Sequence, residues 1–125
     1  IKDAGLQPQD ISYINAHGTG TKNNDLSESV ALKNIFGNNV PPFSSTKSFT
    51  GHTLAAAGAM EAVFSILSMK NKALLPNINF QKTIPETGLI PQTEFQKVEN
   101  IKTVLSNSFG FGGNNTCLVF IQETG

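Results

Sequence analysis

Cysteine occurs once and tryptophan not at all in these 125 residues. A single Cys excludes an intramolecular disulfide framework and any Cys-rich zinc site. Charge is sparse as well: 14% of the residues are Asp, Glu, Lys or Arg, against about 25% in an average domain. Nine basic residues balance nine acidic ones. A neutral chain lacks the electrostatic footprint that holds nucleic acid or an anionic membrane surface, so neither is an expected partner. No apolar run approaches the roughly 18 residues of a membrane span. The opening IKDAGLQPQD has neither the basic start nor the apolar stretch of a signal peptide, and no initiator Met precedes it. Those residues read as the tail of a helix already under way, so a fragment of a longer protein is expected.

What is present suits one domain over residues 1–125. Hydrophobic residues make up 38%, with nine Phe, enough for a core and too many for a disordered tail. Residues 11–16, ISYINA, form a β-branched and aromatic run that reads as a buried strand. The run stops at His17-Gly18-Thr19-Gly20-Thr21, a loop that Gly makes flexible and close-fitting. Asp25 has the character of an N-cap, with Glu28 three residues on as in a capping box. Leu26, Val30, Ile35 and Phe36 would share a helix face that ends at Gly37. A second short strand is expected at 43–46. A helix from about Thr53 to Met69 is apolar on nearly all sides, which predicts burial all round. Residues 75–96 carry several Pro and many polar residues and read as an irregular surface excursion. Two strands, 101–109 and 116–121, close the chain around Gly110-Phe111-Gly112-Gly113-Asn114-Asn115. The alternation predicts an α/β fold with a mixed sheet of about five strands and a buried helix.

His17 and His52 are the two histidines. Taken singly, each is as well explained by structure as by function. Both lie between a strand-like and a helix-like run, beside Gly and Thr, and α/β sheets gather their sites in such loops. Zinc is disfavoured, because a third ligand and HExxH or HxH spacing are missing. Neutral imidazoles can instead donate hydrogen bonds to a developing oxyanion. Lys47 stands in STKSFTGH with few other charges nearby. It is either a surface lysine or a group that orients a His and lowers its proton affinity by charge repulsion. The Gly-rich loops fail as nucleotide cradles: HGTGT lacks the third Gly of GxGxxG, and GFGGNN leads into a strand rather than a helix. Phe111, flanked by glycines, would suit a gate as well as a tight turn. Cys117 lies in the apolar run TCLVFI and reads as buried and inert. Glu61 interrupts an apolar helix and needs a partner there.

These motifs together resemble the C-terminal half of the β-ketoacyl-[acyl-carrier-protein] synthases, condensing enzymes with the thiolase-like fold, and most of all the synthase II type. Asn15 to Thr21 resembles the first histidine motif of that family. Ser45 to His52, followed by an alanine-rich stretch, resembles its lysine and second histidine motif. Ser106 to Asn115 resembles its C-terminal gating loop. The resemblance implies a decarboxylative Claisen condensation in fatty-acid elongation, with His17 and His52 binding the thioester carbonyl of malonyl-carrier protein. Lys47 would support the pair electrostatically. Thr19 and Thr21 would bond the phosphopantetheine arm, and Phe109 and Phe111 would form the gate. Asn15, Glu61, Ser106 and Asn107 would surround a structural monovalent cation, with no other cofactor. The implied setting is cytoplasmic. The implied partners are acyl carrier protein, the N-terminal half of the same enzyme and a second copy in a homodimer.

The resemblance also has departures. The nucleophilic Cys of the family belongs to the N-terminal half, and Cys117 is at the wrong place to replace it, so the chain alone is expected to be inactive. Gly20 replaces a Ser found in many relatives, Asn114 stands where Thr is usual, and Lys22-Asn23-Asn24 departs from a loop that commonly holds Pro. Alternatives are a non-catalytic subunit resembling a chain-length factor, a polyketide ketosynthase portion, and a free-standing pantetheine-binding module. Retention of His17, Lys47 and His52 weighs against the first. A thiolase proper fits less well, since it has a second Cys in place of one His.

Overall fold

The structure, a computed structural model, describes residues 1–123. Its centre is β1 (Tyr13–Asn15), buried throughout. β1 lies between two parallel neighbours, β2 (Phe43–Ser44) and β5 (Thr103–Phe109), and β6 (Asn115–Ile121) adds antiparallel to β5. The order β2-β1-β5-β6 makes a four-stranded mixed sheet, one strand fewer than expected. A separate pair, β3 (Ala73–Leu74) and β4 (Gln96–Lys97), is antiparallel. The expected strand boundaries shift by one or two residues at 103 and 115. A strand flanked by parallel partners is covered on both faces, which is why neighbouring Tyr13 and Ile14 are both fully buried.

Two helices cover the sheet: α1 (Lys22–Phe36) and α3 (Ala57–Asn71). The pleat separates their territories, because successive side chains point to opposite faces. Ile14 and Leu105 stand opposite each other in register and pack with Leu32 and Phe36 of α1. Tyr13 and Val104 form the next pair and pack with Leu74, Ile101 and Met69 at the end of α3. Tyr13 is fully buried and its hydroxyl bonds Ser44 Oγ at 2.5 Å. Burial pushes its phenol up to about 12, with the hydrogen bonds opposing. The expected Phe36–Gly37 helix end is observed: Gly37 takes φ 61° and donates its N–H to the Lys33 carbonyl.

The helix start differs from expectation. α1 begins at Lys22, and Thr21 rather than Asp25 precedes it. Asp25 and Glu28 turn their carboxylates to amides of the preceding loop, Asp25 to Gly20 and Glu28 to His17 and Gly18. The pair that reads as a capping box therefore serves the histidine loop instead. Along α1, Leu32 and Phe36 are buried, whereas Val30 and Ile35 are exposed.

α3 departs most from its sequence pattern. Its buried stripe is Ala57, Glu61, Ser65 and Ser68, small or polar residues that fit closely on the sheet. Ser65 Oγ donates to the Glu61 carbonyl and Ser68 Oγ to that of Ala73. Val63, Ile66 and Leu67 are 44–55% exposed, and Phe64 is half-buried. Burial is thus one-sided, because the polar stripe packs on the sheet while, among the described residues, the apolar flanks are left largely uncovered. Cys117 is likewise exposed rather than buried, on β6, one of the two edge strands of the sheet. The 75–96 excursion has no regular structure before β4, as expected, and is pinned where Asn77 N–H donates to the Gln92 carbonyl and Gln92 N–H to that of Phe43.

Apolar flanks of this kind attract other apolar surfaces. The purified chain should bind a hydrophobic dye and grow in light-scattering mass with concentration. Leu67→Lys should weaken both without lowering the melting temperature. Ile14→Ala, a truncation in the fully buried core, should instead cost about 2–5 kcal/mol in denaturant unfolding. A dye-silent monomer at high concentration would contradict an available apolar face.

Candidate active site

The site begins where β1 runs out. His17 follows the buried pair Asn15-Ala16 and is itself only 6% exposed. Gly18 turns the chain with φ 42°, and a Cβ built on it would lie 2.5 Å from Ser45 Cβ. Both demands exclude any side chain there. On the neighbouring strand β2 ends at Ser44, and α2 (Lys47–Thr50) starts three residues later. The parallel pairing of β1 and β2 therefore delivers His17 and Lys47 to the same end of the sheet.

Lys47 is buried and forms an ion pair with Glu61 of α3. Its ammonium also donates to the His17 carbonyl at 2.6 Å and stands 3.2 Å from His17 Nδ1. An ammonium offers three donors and no acceptor, so Nδ1 receives the proton contact and Nε2 carries the hydrogen of the neutral ring. Burial first, then the Lys47 charge and His52, hold the His17 pKa down to about 4, with Asp25 opposing. The His17 imidazole is therefore neutral at pH 7.

His52 lies edge to face against His17, with ring centroids 5.5 Å apart and planes at 86°. It is exposed, and its Nδ1 accepts the Leu54 N–H at 3.0 Å. In the neutral ring this again leaves Nε2–H as the donor. Leu54 reaches that position in the left-handed region, with φ 53°. Two adjacent imidazoles, both presenting Nε2–H, have the chemistry of an oxyanion hole. Phe109 closes one side, its ring 5.6 Å from that of His17. A cavity of about 450 Å³ opens beside Lys47 and His52 and is lined by Thr19 and Glu28.

Not every expected site residue joins this cluster. The hydroxyls of Thr19 and Thr21 bond each other at 2.8 Å on the surface, and Thr19 alone lines the cavity. Phe111 is fully exposed at the tip of the Gly-rich turn. The side chains of the expected cation set do not meet. Asn15 and Ser106 are register partners on the α3 face, where Asn15 Nδ2 donates to the Glu61 carbonyl at 3.2 Å. Asn107 lies on the opposite face and donates to Glu28 at 3.1 Å. The Glu61 carboxylate holds the Lys47 ammonium, with Ser108 Oγ at 3.5 Å. As side-chain ligands these residues do not fit one ion, since Lys47 already supplies the positive charge. Among the described residues no cluster of three or more His, Cys, Asp or Glu could hold a metal.

Sequence reasoning missed Glu28 as a site residue. Its two carboxylate oxygens accept the N–H groups of His17 and Gly18 at 2.9 Å each. Burial raises its pKa, while those hydrogen bonds and Asn107 oppose the rise. Its distance of 11 residues from His17 gives no local signal. Ser45, Leu54 and Asn77 were also missed, because each acts through its backbone or a single polar atom.

Removing Lys47 while Glu61 stays would strand a buried carboxylate. Lys47→Met should cost about 3–5 kcal/mol in denaturant unfolding, and Glu61→Gln in the same chain should recover part of it. Additive single effects would refute the coupling. His17 supplies a pH test as well. Its folded pKa of about 4 lies below the ordinary 6.5, so in that window the unfolded chain binds more protons. Stability is fully present above pH 6.5 and falls as pH drops toward 4. A His17→Asn variant, compared by denaturant titration across that range, should lose this part of the slope.

The family description "Beta-ketoacyl synthase, C-terminal domain" matches residues 1–81. The chain is 47% identical over 117 residues to 3-oxoacyl-[acyl-carrier-protein] synthase 1 of Haemophilus influenzae, covering 92% of this chain and 29% of that protein. It is 48% identical over 123 residues to 3-oxoacyl-[acyl-carrier-protein] synthase 2 of Staphylococcus aureus, covering 96% of this chain and 30% of that protein. The chain thus spans about three tenths of the length of these relatives. A ketosynthase solved in complex with its chain length factor, from Xenorhabdus doucetiae, superposes with a TM-score of 0.80 at 46% identity, covering 94% of this chain and 30% of that one. The thiolase-like α/β fold implied by the motifs is therefore the observed one. With 65% of its length (81 of 125 residues) inside the matching domain, the chain belongs to the β-ketoacyl synthase C-terminal domain family.

Proposed function

We propose that this chain supplies the histidine half of a condensing enzyme that joins malonyl-carrier protein to an acyl thioester in fatty-acid elongation. The observation that carries the reading is the pair of imidazoles in edge-to-face contact, His17 beside His52, with Lys47 on Nδ1 of His17. Loss of carbon dioxide from a malonyl thioester leaves the C–C electron pair on the thioester as an enolate, with charge on its oxygen. The two Nε2–H donors meet that charge as it forms, and neither imidazole gives up a proton. A neutral ring suits the task, because its hydrogen bond strengthens toward the developing anion. The enolate carbon then attacks an acyl thioester, and the thiolate that held the acyl group leaves.

That thiolate is a Cys outside this chain. Cys117 lies on an edge strand, its Sγ bonding the neighbouring Leu118 carbonyl, and partial desolvation raises its thiol pKa. Neither feature makes an activated nucleophile. The rest of the enzyme would cover the apolar flank of α3, and the intact protein would be a dimer acting on acyl carrier protein. The names of the H. influenzae and S. aureus relatives support a carrier-bound substrate. Thr19 and Thr21, hydrogen-bonded to each other on the surface with Thr19 on the cavity wall, would meet a pantetheine arm, and Phe109 and Phe111 would form its gate. A non-catalytic subunit would have no need of the Lys47–His17 contact.

In the full-length protein, His17→Ala and His52→Ala should each slow malonyl-thioester decarboxylation about 10²–10³-fold, the effect of one lost oxyanion donor. Cys117→Ser should leave condensation unchanged. Undiminished decarboxylation in both histidine variants would reject the reading.

A further inference from the structure

The structure assigns Ser45 and Asn77 as positioning residues that aim the Lys47 ammonium at His17. The assignment rests on the reading of His17 as an oxyanion donor, and it concerns how that donor is held in one tautomer. Ser45 is 4% exposed and sits between the two loops of the site. Its hydroxyl faces the carbonyls of Gly18 at 3.0 Å and His17 at 3.3 Å, and it accepts the Lys47 backbone N–H at 3.3 Å. One side chain thus ties the histidine loop to the first residue of α2. The tie requires Gly at 18, since any Cβ there would collide with Ser45.

Ser45 is itself held from a third segment. Its backbone N–H donates to Asn77 Oδ1 at 3.0 Å. Asn77 is anchored in turn, its own N–H donating to the Gln92 carbonyl at 2.6 Å, while Gln92 N–H donates to the Phe43 carbonyl of β2 at 2.7 Å. The irregular 75–96 excursion thereby reaches back into the site through the Asn77 side-chain oxygen, beside the Ile78 N–H, which donates to Ser48 Oγ. This matters for a lysine because its long stem has many rotamers. The head of Lys47 is held by Glu61 and the His17 carbonyl. The base is held by Ser45. With both ends fixed, the ammonium stays on Nδ1, and the hydrogen of His17 stays on Nε2. Charged and titratable groups around His17 are Lys47 from α2, His52 from the following loop, and Asp25 and Glu28 from α1, with Glu61 of α3 acting through Lys47.

The test uses the full-length protein with ¹⁵N-labelled histidine at a fixed neutral pH, read by imidazole NMR alongside malonyl-thioester decarboxylation. Wild type should show His17 Nδ1 as the bare acceptor and Nε2 as the protonated nitrogen. Ser45→Ala keeps the Cβ against Gly18 and removes the hydroxyl. Asn77→Ala frees the Ser45 amide. Both should move the His17 signals toward tautomer-averaged values. Both should also lower kcat about ten- to a hundred-fold, as expected for slight misplacement of a reacting group, with KM unchanged. Asn77→Asp, which keeps an oxygen facing Ser45 N–H, should restore the wild-type signals. Unchanged His17 signals in folded Ser45→Ala and Asn77→Ala overturn the assignment. So does failure of both variants to fold, which would make the residues supports of the loop junction alone. Averaged tautomers with undiminished decarboxylation would uphold the positioning role and reject instead the reading of His17 as an oxyanion donor.

Discussion

The arrangement turns on one buried charge, the ammonium of Lys47. Burying a lone cation is too costly to persist, and attraction to a single counter-ion rarely offsets the loss of hydration unless the remaining protons are bonded as well. Here all three find acceptors: the Glu61 carboxylate, the His17 carbonyl and His17 Nδ1. Satisfying the cation therefore fixes where α3 must sit, which way the loop after β1 must turn and which tautomer His17 must adopt. It also explains why a helix that looks apolar all round turns a carboxylate and two serines inward. Glu61 has to face the sheet to reach Lys47, and the apolar residues take the flanks that remain.

The opposite face of the sheet completes the hold on His17. From α1, Glu28 takes the N–H groups of His17 and Gly18, and Asn107 of β5 steadies the carboxylate. The histidine is thus gripped by its amide from one face and by its carbonyl and ring from the other. Two buried carboxylates serve one loop without approaching each other, because the β5 pleat sends Asn107 to α1 and Ser106 and Ser108 to α3. Their effects on the ring differ. Glu28 bonds backbone rather than imidazole, so it positions His17 without favouring its protonation. Glu61 pairs with Lys47 rather than with the ring, and the Lys47 charge still lowers the proton affinity of the imidazole.

Much of this was legible in the sequence where local chemistry decides the outcome. The apolar run ISYINA, the glycines after it, the Gly37 stop and the irregular 75–96 stretch all behave as their residues dictate. His17, Lys47, His52 and Phe109 come together as their motifs imply. What was not legible depends on partners far along the chain. Asp25 and Glu28 satisfy the spacing of a capping box, yet loop amides compete for them and win. Hydropathy ranked the faces of α3 without knowing that Lys47 lies opposite one of them. Cys117 falls in an apolar run, but strand position, not hydropathy, exposes it. Asn107 adjoins Ser106 in sequence and is separated from it by the pleat. Asn77 lies 32 residues from Ser45, in a stretch whose composition signals only irregularity.

The two histidines reach the same tautomer by different physics, and the difference fits their surroundings. His17 is enclosed, and a cation fixes it. His52 is exposed, where a second lysine would be screened by solvent and would order little. A backbone amide is the better tool there, since it carries no net charge and is fixed by the chain. Leu54, which supplies that amide, also has a left-handed backbone with φ 53°, a conformation that costs a non-glycine residue about 1 kcal/mol. Gly at this position would avoid the strain but would also free the loop to leave it. Leucine confines the chain more tightly, and its side chain, 79% exposed here, adds another apolar surface beside α3. The strain is local to the histidine that most needs a fixed donor, where conformational freedom would cost the most in alignment.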